Sequence, residues 1–145
     1  MNFNFKDPGL ISITHLRFKA LWIGVGVLMV LSVAIASVVS LPVPVKSMML
    51  HDKVLHTFAY ASLMGWFSQI YRHDLTRLLL AVALILMGIG MEFIQGMVPE
   101  RQFDVLDMVA NSSGVVLAWA LAYTWVGGIL AKLERLFIRP ASKSG

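Results

Sequence analysis

The hydrophobic positions of the chain group into four long runs separated by short polar segments. The runs cover about residues 20–41, 54–71, 78–98 and 105–131. Each approaches or exceeds the roughly 20 apolar residues that a helix needs to cross the hydrocarbon core of a bilayer. The pattern therefore predicts an all-α integral membrane bundle of four transmembrane helices. It also predicts three segments: an N-terminal part over 1–19, the membrane domain over 20–131 and a basic tail over 132–145.

The composition supports the membrane assignment and excludes other classes. Hydrophobic residues make up 58% of the 145 residues, charged residues 14%, and the mean hydropathy is +0.77. A soluble domain carries about 25% charged residues, so a soluble globular enzyme is excluded. The chain has no cysteine, which excludes disulfides, thiolate metal sites and a cysteine nucleophile.

The distribution of the basic residues predicts the orientation in the membrane. Nine of the twelve Lys and Arg residues lie in the two terminal segments and the loop between the second and third runs. Because cytoplasmic loops are enriched in Lys and Arg, we expect both termini in the cytoplasm and segments 42–53 and 99–104 outside. We interpret the net charge of +4 as this orientation signal rather than as a sign of nucleic-acid binding. The expected location is the plasma (inner) membrane, which the chain crosses several times.

Polar residues that are unusual in a membrane span gather near the predicted outer ends of three runs. They are Asp52, Lys53, His56, Tyr60, Glu92, Gln95, Arg101, Asp104, Asp107 and Asn111. Helical spacing places Asp52, His56 and Tyr60 on one face, because residues four apart are neighbours on a helix. The same rule places Asp104, Asp107 and Asn111 on one stripe. The sequence therefore predicts a polar cluster at one end of the bundle.

Glu92 is the residue of this set that a structural role explains least easily. It lies about 10 Å inside the end of its predicted helix, at 1.5 Å per residue. A charged side chain in hydrocarbon costs on the order of 3 kcal/mol even on the mild insertion scale. We therefore expect Glu92 to face the bundle interior and to pair with a cation, for which Lys53, His56 and Arg101 are available.

Structural interpretations of the same residues remain open. Asp104 and Asp107 are spaced as a helix N-cap and an acid three residues later. Lys53 could simply extend its ammonium group to the membrane–water interface. His56 could be a neutral histidine that forms a hydrogen bond across helices. Tyr60 could be a packed aromatic residue with a satisfied hydroxyl. Gly88 and Gly96, which flank Glu92, could serve close helix approach.

The order of these residues resembles the VanZ-like family of small bacterial membrane proteins. The matching stretches are SLPVP, then DKVLHTFAY, and then MEFIQGMVPERQFDVLDMVANSSG, which together span roughly residues 40–120. The family pattern places an aromatic residue directly after the histidine, where this chain has Thr57 and then Phe58. The family takes its name from a protein associated with low-level resistance to the glycopeptide teicoplanin. The resemblance implies a function at the cell envelope, with resistance to antibiotics as one candidate. It implies no settled catalytic activity.

Three functions are compatible with the cluster. The first is binding or modulation of a lipid-linked cell-wall precursor or an amphiphilic antibiotic. The second is an enzyme that acts on an outer-leaflet phosphate- or polyprenyl-linked lipid. The third is a structural or accessory subunit in which the polar residues only join helices. A transporter is less favoured, because polar residues near one end offer no midplane pathway.

The functional interpretations assign a role to each residue. Glu92 and His56 are the candidates for acid–base catalysis. The candidates for substrate binding are Lys53, Arg101, Asp52, Tyr60, Gln95, Asp104, Asp107 and Asn111, with Arg101 and Lys53 on phosphate. Asp52, Asp104 and Asp107 could hold a divalent cation, but the spacing of known metal motifs is absent. We therefore expect no metal and no cofactor. The expected partners are membrane lipids, with no nucleic acid, and an oligomer is compatible with the sequence.

Overall fold

Five helices form the part of the chain that a computed structural model describes, residues 16–39, 49–99, 101–124 and 128–137. They are α1 (Lys19–Val38), α2 (Met49–Ile70), α3 (Asp74–Gln95), α4 (Val105–Leu121) and α5 (Ile129–Phe137). The all-α class is therefore confirmed. The transbilayer arrangement of four helices and the side on which the termini lie stay predictions.

Two helices are long and apolar enough to cross a membrane, namely α1 and α3. α4 is apolar but has 17 residues, and α2 carries Asp52, Lys53 and His56 near its start. α1 is almost entirely uncovered by the rest of the protein, and the exposed fraction of Leu28 and Ile35 exceeds 60%. A helix at the core of a soluble protein would bury such side chains, so α1 has the surface of a helix that another apolar medium covers.

The core forms where α2, α3 and α4 meet. Its buried side chains are Tyr60, Leu63, Met64, Ala81, Leu84, Val115 and Ala118. α1 reaches it only through half-buried side chains such as Met29 and Val33. Its Gly26 is buried against the Phe67 ring, which a Cβ atom would meet at 2.9 Å. α1 therefore lies at the periphery of the bundle, outside the core that α2, α3 and α4 form.

The closest approach of two helices is that of α2 and α4, which run parallel. A Cβ atom built on Gly114 would fall onto the carbonyl oxygen of Thr57 and 3.0 Å from the backbone nitrogen of Ala61. Glycine is thus the residue that permits backbone contact between the helices at this point. Gly88 of α3 has a related role, since a Cβ there would meet Asn111 at 3.1 Å and Tyr60 at 3.2 Å.

Several predicted helix boundaries are wrong. α2 begins at Met49, before the predicted start of its run at residue 54, which agrees with the helical spacing of Asp52, His56 and Tyr60. α3 begins at Asp74, which places Arg77 inside a helix instead of a loop. An acid in the first turn favours this earlier start, because it complements the positive end of the helix dipole.

The fourth run, 105–131, is not one continuous helix. α4 ends at Leu121, whose carbonyl accepts a 2.7 Å hydrogen bond from Thr124 Oγ1. This hydroxyl donor, together with the Arg77 guanidinium at the carbonyl of Ala122, replaces the hydrogen bonds of a further helical turn. α5 then crosses the expected boundary between residues 131 and 132, and packs beside α2 with Leu130 and Ala131 buried. The segments 1–15, 40–48 and 138–145 lie outside the described residues.

Candidate functional site

The predicted polar cluster lies at one end of the bundle, which we call the Lys53 end. Here α2 and α4 begin and α3 ends. Glu92, Asp107 and Asn111 are buried there, whereas Asp52, Lys53 and Asp104 remain partly exposed. The residues joined there by contacts are Asp52, Lys53, His56, Glu92, Asp104, Asp107 and Asn111.

Lys53 joins α2 to the start of α4. Its Nζ atom lies 2.6 Å from Oδ2 of Asp104 and 2.7 Å from Oδ1 of Asp107. The hydrogen bond to Asp104, followed by that to Asp107, raises the pKa of Lys53 above its ordinary value. The same bond from Lys53, followed by that from the backbone N–H of Leu106, lowers the pKa of Asp104. Lys53 is therefore a charged link between helices.

Asp104 is also the N-cap of α4, as the sequence predicts. Its Oδ1 atom accepts a 2.8 Å hydrogen bond from the N–H of Leu106. Asp107, three residues later, binds Lys53, and no hydrogen bond returns from its side chain to the cap residue within the described part of the chain. The N-cap interpretation therefore holds for Asp104, whereas Asp107 is a partner of α2.

His56 bonds across the same two helices. Its Nδ1 atom lies 3.0 Å from Oδ1 of Asn111, and its Nε2 atom lies 3.8 Å from Oδ1 of Asp52. If the Asn111 oxygen is the acceptor, Nδ1 carries the proton and Nε2 keeps its lone pair. Bonding of His56 across helices agrees with the structural interpretation, but Nε2 faces a carboxylate at a distance too long for a hydrogen bond.

Glu92 is buried in the bundle interior, with 1% of its surface exposed. Its Oε1 atom accepts a 2.7 Å hydrogen bond from the backbone N–H of Asp104. The predicted cation partner is thus wrong for this oxygen, since a backbone donor takes that place. The other oxygen, Oε2, has no hydrogen-bond partner among the described residues.

Tyr60 lies beside Glu92 and is equally buried. The two groups interact electrostatically, and the Tyr60 hydroxyl also lacks a partner within the described ranges. The expectation of a satisfied hydroxyl is therefore wrong. Ser68, His73 and Trp119 also have unpaired buried atoms, but the unpaired carboxylate oxygen among the described residues is that of Glu92 at the Lys53 end. A buried polar group without a partner calls for an explanation such as a bound ligand, ion or water.

The remaining two predicted residues contact the end of α1. Gln95 Nε2 donates a 2.9 Å hydrogen bond to the carbonyl oxygen of Ser37, and Arg101 Nη2 donates a 3.1 Å bond to that of Val39. These side chains satisfy carbonyls of the last turn of α1, which lack partners within the helix. They hold α1 against the Lys53 end rather than contacting the carboxylates directly.

A second group of buried charges lies at the opposite end, which we call the Arg77 end. Arg77 is 5% exposed, and its three guanidinium nitrogens donate to the carbonyls of Tyr71, Ala122 and Ser68 at 2.9, 3.4 and 2.8 Å. Its guanidinium also lies 5.4 Å from the centre of the Tyr123 ring. Arg77 therefore binds the C-terminal carbonyls of both α2 and α4.

Glu134 of α5 is the second buried charge of the Arg77 end. Its carboxylate accepts hydrogen bonds from the backbone N–H of Arg17 at 2.8 Å, from that of Phe18 at 3.1 Å and from Trp22 Nε1 at 2.6 Å. α1 has no acid in its own first turn, so Glu134 supplies the negative charge that a helix N-terminus favours. Burial acts to raise the pKa of Glu134, but the donated hydrogen bonds outweigh it and lower that pKa.

Arg77 and Glu134 are the residues that sequence reasoning missed. Hydropathy places Arg77 in a polar loop, although Asp74 could have indicated an earlier helix start and thus a helical Arg77. Glu134 lies in a basic tail, but its spacing from Leu130 and Ala131 puts it on their face of α5. An acid on an otherwise apolar face is the signal that could have identified it.

Comparison with known proteins gives a family and one relative. The sequence model of the VanZ/LLP1 family matches residues 18–127. A fission yeast protein, uncharacterized protein C11E3.10 of Schizosaccharomyces pombe, is 35% identical over 98 residues, which are 66% of this chain and 57% of that protein. The chain thus spans little more than half the length of this relative, and a fungal relative leaves the predicted bacterial origin without support. No solved structure matches the chain. The match over most of its length shows that the chain belongs to the VanZ/LLP1 family.

Proposed function

We propose that this protein is a multi-pass membrane protein that binds the headgroup of an amphiphilic or lipid-linked molecule of the cell envelope at the Lys53 end. The observation that supports this most is the pair of unpartnered buried groups, Glu92 Oε2 and the Tyr60 hydroxyl. They offer a buried hydrogen-bond acceptor and a buried hydroxyl that interact electrostatically within one cluster, and the helices that carry them expose large apolar surfaces. An amphiphile presents this combination of a polar group and an apolar chain.

The membrane part of the proposal is supported by the apolar surfaces of the helices. α1 and α3 are long enough to span, and side chains on the outer faces of all four longer helices, such as Leu31, Phe58, Leu86 and Leu117, are more than half exposed. A soluble protein rarely exposes so large an apolar surface. In the proposed orientation the Lys53 end lies at the outer surface, because nine of the twelve basic residues lie in the segments assigned to the cytoplasm. A reporter fused at the C-terminus that is active only outside the membrane would overturn this orientation.

The charges of the Lys53 end favour certain headgroups. Lys53 already binds two carboxylates, so the role in phosphate binding falls to Arg101, whose planar guanidinium suits a phosphate. Glu92 Oε2 favours a hydroxyl or ammonium group as its partner. We therefore propose a headgroup that carries hydrogen-bond donors as well as a phosphate.

The test is native mass spectrometry of the detergent-purified protein, with Glu92→Ala and Arg101→Ala beside the wild type. We expect a co-purifying amphiphile that both variants lose. Asp74→Asn is the matched control, because it removes a carboxylate from the other end of α3, and it should keep the ligand. Variants that remain folded and retain the same lipid as the wild type would contradict the proposal and leave helix association as the role of the cluster.

An enzyme is the second candidate, and one observation favours it. His56 Nε2 and Glu92 Oε2 are two titratable atoms of one cluster without a hydrogen bond in the described structure. Glu92→Gln separates the candidates once the ligand is identified. Binding should tolerate the amide within about tenfold, whereas acid–base catalysis contributes about 10²- to 10⁴-fold in rate and would be lost.

A further inference from the structure

We propose that the Lys53 end contains a divalent metal site formed by Asp52, His56 and Asp107. Each of the three offers one ligand atom, and these atoms lie within 4.8 Å of one another. Metal–ligand distances are roughly 2.0–2.2 Å, so small side-chain movements would bring all three ligand atoms onto one ion placed between them. The site differs from the sequence expectation, which considered Asp104 instead of His56 and rejected a metal. It does not depend on the proposed amphiphile.

The geometry of His56 is that of a metal ligand with a second-shell partner. A ligating histidine almost always donates its other ring N–H to a carboxylate or carbonyl oxygen, which fixes the tautomer. His56 has this arrangement, since Nδ1 lies 3.0 Å from the amide oxygen of Asn111. In the tautomer with the proton on Nδ1, Nε2 directs a lone pair toward Asp52 Oδ1 at 3.8 Å. Two electron-rich atoms in this position repel each other unless a cation lies between them.

Asp107 can serve the ion and Lys53 together. Lys53 binds Oδ1 of Asp107, and the carboxylate has a second oxygen. The side chain of Asp107 is 11% exposed and that of His56 is 15% exposed, so water only partly solvates their charges. The half-exposed Asp52 at the rim gives the ion a path from solvent.

Glu92 provides an independent indication of a cation. It lies close enough to His56 and Asp107 for their charges to interact, and its Oε2 atom is buried without a partner among the described residues. The cluster thus contains four carboxylates (Asp52, Glu92, Asp104 and Asp107), and the ammonium group of Lys53 contacts two of them, Asp104 and Asp107. A divalent ion would offset this excess of negative charge.

The ligand set selects the class of ion. Carboxylates suit Mg²⁺, Ca²⁺ and Mn²⁺, whereas imidazole suits Zn²⁺, Fe²⁺ and other transition ions. Two carboxylates with one imidazole therefore favour Mn²⁺ or Zn²⁺. Three protein ligands leave coordination positions open, as in catalytic metal sites.

The experiment titrates Mn²⁺ into the chelator-treated full chain in detergent and measures the free ion by electron paramagnetic resonance, with Zn²⁺ as a competitor. We expect one Mn²⁺ per chain, displaced by Zn²⁺. Asp52→Asn should weaken binding by at least tenfold, because it removes a ligand at the exposed rim, where Asp52 contacts His56. The protein should still fold, as thermal unfolding without metal will show. Asp74→Asn should bind as the wild type does.

Two results would overturn the site. One is the absence of Mn²⁺ and Zn²⁺ binding by the folded wild type. It would indicate that a proton on Nε2 of His56, rather than a metal ion, lies between His56 and Asp52. The other is unchanged binding by Asp52→Asn and Asp107→Asn together. Because the readout is metal stoichiometry, either result leaves the proposed amphiphile binding untouched, and loss of the amphiphile does not affect the metal result.

Discussion

The two ends of the bundle both bury charged side chains, but they use them differently. At the Arg77 end, the three guanidinium nitrogens of Arg77 and both oxygens of Glu134 bind partners, which are mainly backbone groups of helix ends. At the Lys53 end, side chains bind mostly side chains, and Glu92 retains an unpartnered carboxylate oxygen, whereas the unpartnered buried atoms described at the Arg77 end belong to Ser68 and His73. Backbone partners are fixed by the fold, so the Arg77 end holds the helices together. The Lys53 end retains polar atoms that can bind a further partner.

The largest expected effect comes from separating the backbones of α2 and α4, which position the side chains of the Lys53 end. Gly114→Ala places a methyl group on the Thr57 carbonyl, so α2 and α4 must separate and the bond between His56 and Asn111 must lengthen. We expect a loss of about 3–5 kcal/mol in the free energy of unfolding, the range of severe core substitutions. Thermal unfolding in detergent measures it. Gly90→Ala is the matched control, because nothing lies within 4 Å of its Cβ position; equal losses for the two would contradict the close approach.

The next largest effect tests whether the Arg77 end stabilises the fold. Arg77→Met keeps an unbranched side chain but leaves the carbonyls of Ser68, Tyr71 and Ala122 without their donors. Each buried acceptor left unpaired costs roughly 1–3 kcal/mol, so we expect about 3 kcal/mol in total. Arg77→Lys should recover part of this, since one ammonium group cannot reach all three carbonyls. A stability of Arg77→Met within 0.5 kcal/mol of the wild type (roughly the limit for surface substitutions) would show that the Arg77 end is not the structural one.

Glu134→Ala should have a smaller effect, because it removes the cap of α1 but leaves the core of α2, α3 and α4 intact. Three hydrogen bonds to a charged acceptor are lost, and we expect about 2 kcal/mol. The lowered pKa of Glu134 means that its contribution is present above the ordinary carboxyl pKa of about 4.5 and is lost as the pH falls through the lower folded value. Fluorescence of Trp22, followed from pH 7 to pH 3 against the Glu134→Gln variant, measures this release. A variant with the same acid transition as the wild type would assign the transition to another carboxylate.

The smallest expected effect on stability is that of Glu92→Gln. The amide can place its oxygen on the N–H of Asp104 and turn its NH₂ group toward the unpartnered side. We expect a change within about 1 kcal/mol, typical of a substitution that conserves volume, together with weaker metal and amphiphile binding. Unfolding and binding measured on one preparation sharpen the comparison between the ends. A large loss of stability would make Glu92 a structural residue like Arg77.

Periodicity predicted the composition of the Lys53 end well. Spacings of three and four residues put Asp104, Asp107 and Asn111 on one stripe, and the structure brings that stripe to Lys53 and His56. The partner of each atom could not be predicted. Glu92 binds a backbone N–H instead of a cation, because helix period fixes the face of a residue but not the depth at which a neighbouring helix begins.

The Arg77 end was not predicted, for a related reason. Hydropathy assigns a charge to the nearest loop, since it sums residues along the chain and does not include contacts between chain ends. Arg77 and Glu134 acquire their roles only from carbonyls and N–H groups that other helices leave unpaired. The break of the fourth run after Leu121 also depends on such donors. The Thr124 hydroxyl donates to the carbonyl of Leu121 and the Arg77 guanidinium to that of Ala122, in place of the N–H groups of a further helical turn.

The bond between Glu134 and the start of α1 also has a consequence for the order of assembly. Arg17 and Glu134 are 117 residues apart, and at 5–20 residues per second synthesis of that stretch takes on the order of 10 s. Throughout this interval α1 has neither its cap nor the indole contact of Trp22. Although α1 is made before the other four described helices, it gains this contact last. A nascent chain arrested before α5 would leave the N-terminal end of α1 without the Glu134 carboxylate.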